Sequence, residues 1–275
     1  MLQAKKVIRW NHDPEAPRFE SPPEGPLFVG VDLGTAYVML VVLDQQMQPL
    51  TGEYQFAQVV RDGLVVDFIG AVDLVKEMKT RVERRLGLSL TRAASGFPPG
   101  VPRAEVQAVA NVVEAAELRC SNLIDEPSAA NALLRLTNGA IVDVGGGTTG
   151  IAILRDGEVV YTADEPTGGT HFTLVVAGSL DISFERAETI KVDPAEQRRL
   201  FPTLRPVMEK VASIVLRHIQ AYGSPVDSIT LVGGPCAYPG MAMVIENYTG
   251  IKTNVPNLPV FVTPLGIAMH DKQSR

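Results

Sequence analysis

The sequence predicts an α/β fold built from two similar lobes, and three observations predict it. Strand-like and helix-like stretches alternate along the chain. The pattern strand, Asp, glycine turn, Thr, strand occurs twice, at Asp32-Leu-Gly-Thr35 and at Asp143-Val-Gly-Gly-Gly-Thr148. So long a spacing implies a duplicated lobe and not a short-period solenoid. Finally, 45% of the 275 residues are apolar and 20% charged, the profile of a globular protein with a substantial core.

The elements follow in order. Residues 1–26 are read as a flexible lead-in, because Pro14, Pro17, Pro22, Pro23 and Pro26 lie among acidic residues that bury little surface. Leu27–Val31 and Tyr37–Leu43 are short apolar runs with Gly34 between them, a β-hairpin. Phe68, Ile69, Val72, Val75, Met78 and Val82 recur at helical spacing, and Gly87 stops that helix. A second amphipathic helix is expected over Glu105–Leu118. Ala140–Val144 and Ile151–Leu154 form another hairpin around the triple glycine. Asp156-Gly157 marks a two-residue turn into the strand Glu158–Thr162. Helices are expected over Ser183–Ile190 and Leu204–Tyr222, and a last strand over Ser228–Val232 runs into Gly233-Gly234. Lobe I therefore spans 27–138 with a return of 263–275, and lobe II spans 139–262.

Composition narrows the function. The 25 basic residues against 31 acidic ones leave no basic excess for nucleic-acid phosphates. No apolar stretch reaches the roughly 20 residues that cross a bilayer. Lys5, Lys6 and Arg9 are followed by no apolar segment of a secretory signal. Cys120 and Cys236 stand far apart, which reads as two buried thiols in a reducing cytoplasm. The four histidines lack metal-ligand spacing.

The two Asp–Gly–Thr hairpins carry the chemistry. Glycine lets a backbone N–H approach an anion closely, and several such groups form an anion nest. A Thr hydroxyl adds a donor to a phosphate oxygen, and an Asp at a strand end can hold hydrated Mg²⁺. A Rossmann site would need a helix directly after the glycine turn, where a strand follows here. A Walker loop would need Gly-Lys-Ser/Thr, which does not occur.

The order Asp32-Leu-Gly-Thr35, Asp125-Glu-Pro-Ser-Ala-Ala130, Asp143-Val-Gly-Gly-Gly-Thr-Thr149, Gly168-Gly169, Leu231-Val-Gly-Gly-Pro235 and Pro264-Leu-Gly-Ile-Ala268 resembles the signature of actin-like and DnaK-type ATPases. The resemblance covers nearly everything from residue 27 onward. It implies the actin-like (ribonuclease-H-like) ATPase fold, with a nucleotide cleft between two lobes. Among subfamilies the chain most resembles the ethanolamine-utilisation J family, in Val60–Asp67, Asp143–Ile153, Ala163–Gly169 and Thr263–Ala268. That resemblance implies a cytoplasmic, chaperone-like protein whose partner is an enzyme or shell component of a bacterial microcompartment.

The resemblance also implies roles. ATP and Mg²⁺ are the cofactors, with ADP as product. Asp32 and Asp143 would hold the metal through water. Gly34 and Thr35 would meet the γ-phosphate, and Gly145, Gly146, Gly147 and Thr148 the β-phosphate. Glu126 would orient the attacking water, with Glu126 and Asp143 the catalytic pair. Gly168-Gly169 is the glycine pair that follows, Gly233 and Gly234 would lie along adenosine, and Glu188 and Lys191 would contact the nucleoside. The chain departs from the family where Gly-Gly-Glu-Asp-Phe-Asp becomes Gly168-Gly-Thr-His-Phe-Thr173. Lys76 and Lys79 lie where the chaperones carry a catalytic lysine, but no motif matches. These departures favour ATP binding over fast hydrolysis. An assembly protein in the manner of MreB or FtsA and a non-hydrolysing scaffold are the alternatives. Sedimentation with ATP separates the first, and measured turnover the second.

Overall fold

The computed structural model describes residues 8–10, 19–61 and 63–272. The described chain divides into two compact units, one running to Arg135 and resuming at Phe261, the other Leu136–Val260.

The first unit is a six-stranded sheet with helices on both faces. Its strands are β1 (Ile8–Trp10), β2 (Phe28–Leu33), β3 (Tyr37–Leu43), β4 (Pro49–Phe56), β7 (Arg92–Phe97) and β8 (Arg119–Asp125), in the order β1-β4-β3-β2-β7-β8. β2, β3 and β4 are antiparallel, while β7 and β8 join in parallel. A small hairpin, β5 (Val60–Arg61) with β6 (Leu64–Val65), stands apart. Within the segment read as a flexible lead-in, Ile8–Trp10 pair in parallel with Gly52–Tyr54. Residues 1–7 and 11–18 of that segment lie outside the described residues.

Strand alternation sends Val29, Val31, Leu40 and Val42 to one face. There they meet Val72, Val75, Met78 and Val82 of α1 (Phe68–Leu86) and Val109, Val112 and Val113 of α2 (Arg103–Ala115). Asp67 caps α1 by accepting from the Gly70 N–H, and Gly87 ends it in the left-handed region at φ 70°. The opposite face carries α3 (Glu126–Leu134) and α8 (Val262–Met269), where Ala94, Ala129 and Ile267 cluster.

The last helix is pinned by a residue just beyond it. The Asp271 side chain is fully buried and accepts from the Val29 N–H at 3.0 Å and from the Ser121 hydroxyl, and it pairs with Arg92 at 3.2 Å. One carboxylate thus joins α8 to β2, β7 and β8. Asp271→Asn keeps the shape but loses the charge, and it should lower unfolding free energy by about 2 kcal/mol in urea titration.

The second unit is a five-stranded sheet ordered β11-β10-β9-β12-β13. These strands are β9 (Gly139–Val144), β10 (Thr149–Arg155), β11 (Glu158–Glu165), β12 (Ser228–Val232) and β13 (Lys252–Asn254). Asp156 and Gly157, both at positive φ, make the tight turn between β10 and β11. The helices are α4 (Gly169–Leu180), α5 (Phe184–Val192), α6 (Pro194–Tyr222) and α7 (Met241–Thr249).

Helix α6 starts ten residues before the expected Leu204 and runs through Pro202 and Pro206. Each internal proline costs a helix about 3 kcal/mol. The buried stripe of Leu200, Leu204, Met208, Val211, Val215 and Ile219 against the sheet offsets this, and Asp193 caps the start by accepting from the Ala195 N–H. Among the described residues no helix is long and apolar enough to cross a membrane.

Candidate functional site: two matched glycine loops

The two Asp–Gly hairpins have the same construction. Asp32 pairs with Met39 across β2 and β3, and Asp143 pairs with Gly150 across β9 and β10. Each strand gives one further residue, Leu33 or Val144, before a four-residue loop opens. In the first loop the Gly34 N–H donates to the Tyr37 carbonyl at 3.1 Å, and in the second the Gly145 N–H donates to the Thr148 carbonyl at 3.0 Å. A Cβ on Gly34 would lie 2.7 Å from that Tyr37 oxygen, so glycine is required there. Superposing the loops position by position sets Thr35 opposite Gly146 and Tyr37 opposite Thr148. The two threonines the sequence pairs by type therefore stand at different places in their loops.

The second loop is the more elaborately held. Its carbonyls face the start of α4: the Gly169 N–H donates to Gly145 O at 2.8 Å and the Thr170 N–H to Gly146 O at 2.7 Å. Gly168 packs on the loop backbone so closely that a Cβ would lie 2.7 Å from Gly145 O and 2.8 Å from Gly146 O. His171 Nδ1 accepts from the Gly168 N–H and caps the helix. The Thr149 hydroxyl, fully buried, donates to the Thr167 carbonyl and ties the return strand to the same turn. With the carbonyls turned inward, the N–H groups of Gly146, Gly147 and Thr148 make no hydrogen bond to protein among the described residues.

Asp143, the last polar residue before this loop, is 8% exposed. Gly233 crosses over it at φ 92°, where a Cβ would meet Val144 O at 2.2 Å and Asp143 Oδ1 at 2.6 Å. Gly234 opens the 3₁₀ turn Gly234–Ala237, and Pro235 reaches 3.2 Å from the Cβ position of Gly169. The Asp143 loop, Gly168-Gly169 and Gly233-Gly234-Pro235 thus converge within one unit, although they lie far apart in sequence.

Glu188 and Lys191 belong to the same cluster. Both sit on α5 and are largely buried, so they are not a solvated surface pair. Lys191 Nζ donates to Glu188 at 2.6 Å, to the Thr173 hydroxyl at 2.8 Å and to Gly169 O at 3.2 Å. Burial pushes the ammonium pKa down, and Glu188 opposes that shift. Cys236 is buried beside Asp143, and burial with that carboxylate pushes its thiol well up, which suits a space-filling residue. Cys120, expected to be buried, is only half-buried on β8.

The first unit holds Asp32, Gly34, Thr35 and Glu126. Glu126 begins α3, whose cap is Asp125 accepting from the Ser128 N–H at 2.9 Å. Its Cγ lies 3.7 Å from the Cβ position of Gly96 at the end of β7. Among the described residues no group of three His, Cys, Asp or Glu could hold a metal directly.

Sequence reading missed Thr149, Thr167 and Thr173, whose hydroxyls or carbonyls lock the second loop. Thr149 stands inside the motif Asp143–Thr149, and Thr173 replaces an acidic residue of the DnaK-type pattern.

Comparison with known proteins places this geometry. A family model described as type IV pilus assembly protein PilM matches residues 101–264. Ethanolamine utilization protein EutJ of Escherichia coli (strain K12) is 43% identical over 252 residues, covering 91% of this chain and 88% of that protein. A crystal structure of EutJ from Carboxydothermus hydrogenoformans is 44% identical with TM-score 0.87, covering 98% of this chain and 94% of that one. MreB5 of Spiroplasma citri bound to AMPPNP is 18% identical with TM-score 0.72, over 90% of this chain and 96% of that one, a likeness of fold alone. The fold is therefore actin-like, as the resemblance of the ordered motifs implies. At 43–44% identity over nearly its whole length, the chain belongs to the EutJ family of ethanolamine utilization proteins and carries, over residues 101–264, the PilM-type domain.

Proposed function

We propose that the chain binds Mg-ATP and works as a slow, ATP-dependent chaperone-like factor for an enzyme or shell component of the ethanolamine-utilisation microcompartment. The observation that carries the nucleotide reading is the second glycine loop. Its carbonyls are tied to Gly169 and Thr170, while the N–H groups of Gly146, Gly147 and Thr148 are left for an anion. The residues fit a polyphosphate, because Gly168 and Gly233 leave no room for a side chain where the backbones meet. The EutJ relatives are named for ethanolamine utilization, which supports that setting, and the microcompartment partner is what the family resemblance implies.

In this reading Gly145–Thr148 hold the β-phosphate, and Gly34 with Thr35 the γ-phosphate. Gly168 and Gly169 brace the second loop. Gly233 and Gly234 lie along adenosine. Asp32 and Asp143 would hold hydrated Mg²⁺ through its waters. When bound, ATP supplies a phosphoryl group for transfer to water, and positioning dominates such chemistry. Glu126 supplies the carboxylate that orients that water.

Glu126→Gln should leave Mg-ATP affinity unchanged and slow phosphate release at least about tenfold in single-turnover assays. Equal release rates would remove Glu126 from the chemistry. No release from either protein would make the chain a nucleotide-dependent scaffold.

A further inference from the structure

The family resemblance sets Lys191 and Glu188 against the nucleoside. Their surroundings point elsewhere. A lysine ammonium has three N–H donors and no acceptor. Here all three meet protein acceptors: Glu188 Oε2, the Thr173 hydroxyl and the Gly169 carbonyl. The Thr173 hydroxyl also lies 2.5 Å from Glu188 Oε2, so the carboxylate anchors both donors. A nucleoside hydroxyl would have to displace one of these bonds inside a cluster whose lysine side chain is 11% exposed.

The bond to Gly169 is the consequential one. Gly169 offers its carbonyl to Lys191 and its N–H to Gly145 O, and the next N–H, Thr170, goes to Gly146 O. The Gly169 carbonyl and the Thr170 N–H belong to one peptide group, so a continuous line of hydrogen bonds runs from the ammonium through that peptide to Gly146 O, and the adjoining Gly169 N–H holds Gly145 O. Turning those carbonyls inward leaves the neighbouring N–H groups outward.

We infer that Lys191 is a positioning residue for the second glycine loop, anchored by Glu188 and Thr173, and not a nucleoside ligand. This rests on the reading that the loop takes the phosphates of a nucleotide. It acts on the phosphate end of the ligand and is indifferent to the base and ribose.

The test compares wild type with Lys191→Met, and with Glu188→Gln/Lys191→Met, which leaves no unpaired buried carboxylate. Mg-ATP and adenosine are titrated into each, melting temperature is recorded, and amide exchange of residues 145–149 and 168–171 is followed without ligand. Loss of a buried charged hydrogen bond predicts that both variants bind Mg-ATP about tenfold more weakly. Adenosine affinity should be unchanged, and exchange at Gly145, Gly169 and Thr170, whose N–H groups hold the loop, should be faster. An equal loss for Mg-ATP and adenosine would make Lys191 a nucleoside contact and overturn the inference. A lower melting temperature with both affinities intact would overturn it too, leaving only a packing role. Should wild type bind neither ligand, the nucleotide reading fails by itself. Exchange in the ligand-free protein then decides: acceleration confined to residues 145–149 and 168–171 supports the positioning role of Lys191, and unchanged exchange rejects it.

Discussion

Gly266→Ala should cost the protein at least about 3 kcal/mol of unfolding free energy, the upper range for overpacking. Helix α8 crosses α3 at Gly266, and a Cβ there would stand 1.8 Å from the Ala129 carbonyl oxygen. Neither partner can yield by rotating a side chain, because the obstacle is backbone. The same helix presses Ala268 on Gly30, where a Cβ would meet backbone nitrogen at 2.7 Å, and Ile267 on Gly96 at 2.5 Å. Relieving the clash at Gly266 by lifting α8 would open these two contacts and pull Asp271 from Val29 and Ser121. Urea denaturation followed by far-UV circular dichroism measures the cost. A loss below about 1 kcal/mol, the size of an ordinary surface change, would show that the helices slide apart freely.

The second large effect concerns the nucleotide directly. Asp143→Ala should abolish Mg²⁺-dependent binding, weakening Mg-ATP by at least about a hundredfold while the fold survives. The carboxylate lies at the end of a strand buried on both faces, under Gly233, with its loop fixed independently by Gly168 and Gly169. The loop therefore persists without it. Asp143→Asn, which fits the same space under Gly233, should show the same loss and an unchanged melting temperature. Wild-type affinity in both variants would mean that Asp143 only shapes the turn.

The glycine hairpins were legible because glycine and Asp sit at fixed offsets from apolar strands, a signal within a dozen residues. The Asp156-Gly157 turn and the strand Ser228–Val232 were legible for the same reason. Helix α4 was not. Its Thr173-Leu-Val-Val-Ala177 run shows no helical period, and Leu174 stays exposed within it. β7 was not readable either, since Arg92-Ala-Ala-Ser-Gly-Phe97 has almost no β-branched content and becomes a strand only between β2 and β8. In the site, each glycine could be read as a close approach, but not what it approached. That Gly233 lies on Asp143, and that Lys191 holds Gly169, are long-range facts of tertiary packing. Pro202 and Pro206 both fall inside α6, whose early start rests on the buried stripe from Leu200 onward.

If the glycine loops take the phosphates of a nucleotide, titration calorimetry of the folded protein with ATP, with and without Mg²⁺, shows saturable Mg-ATP binding that weakens sharply when the metal is chelated. Absence of heat at millimolar Mg-ATP, in protein whose circular dichroism shows it folded, would contradict that role of the loops.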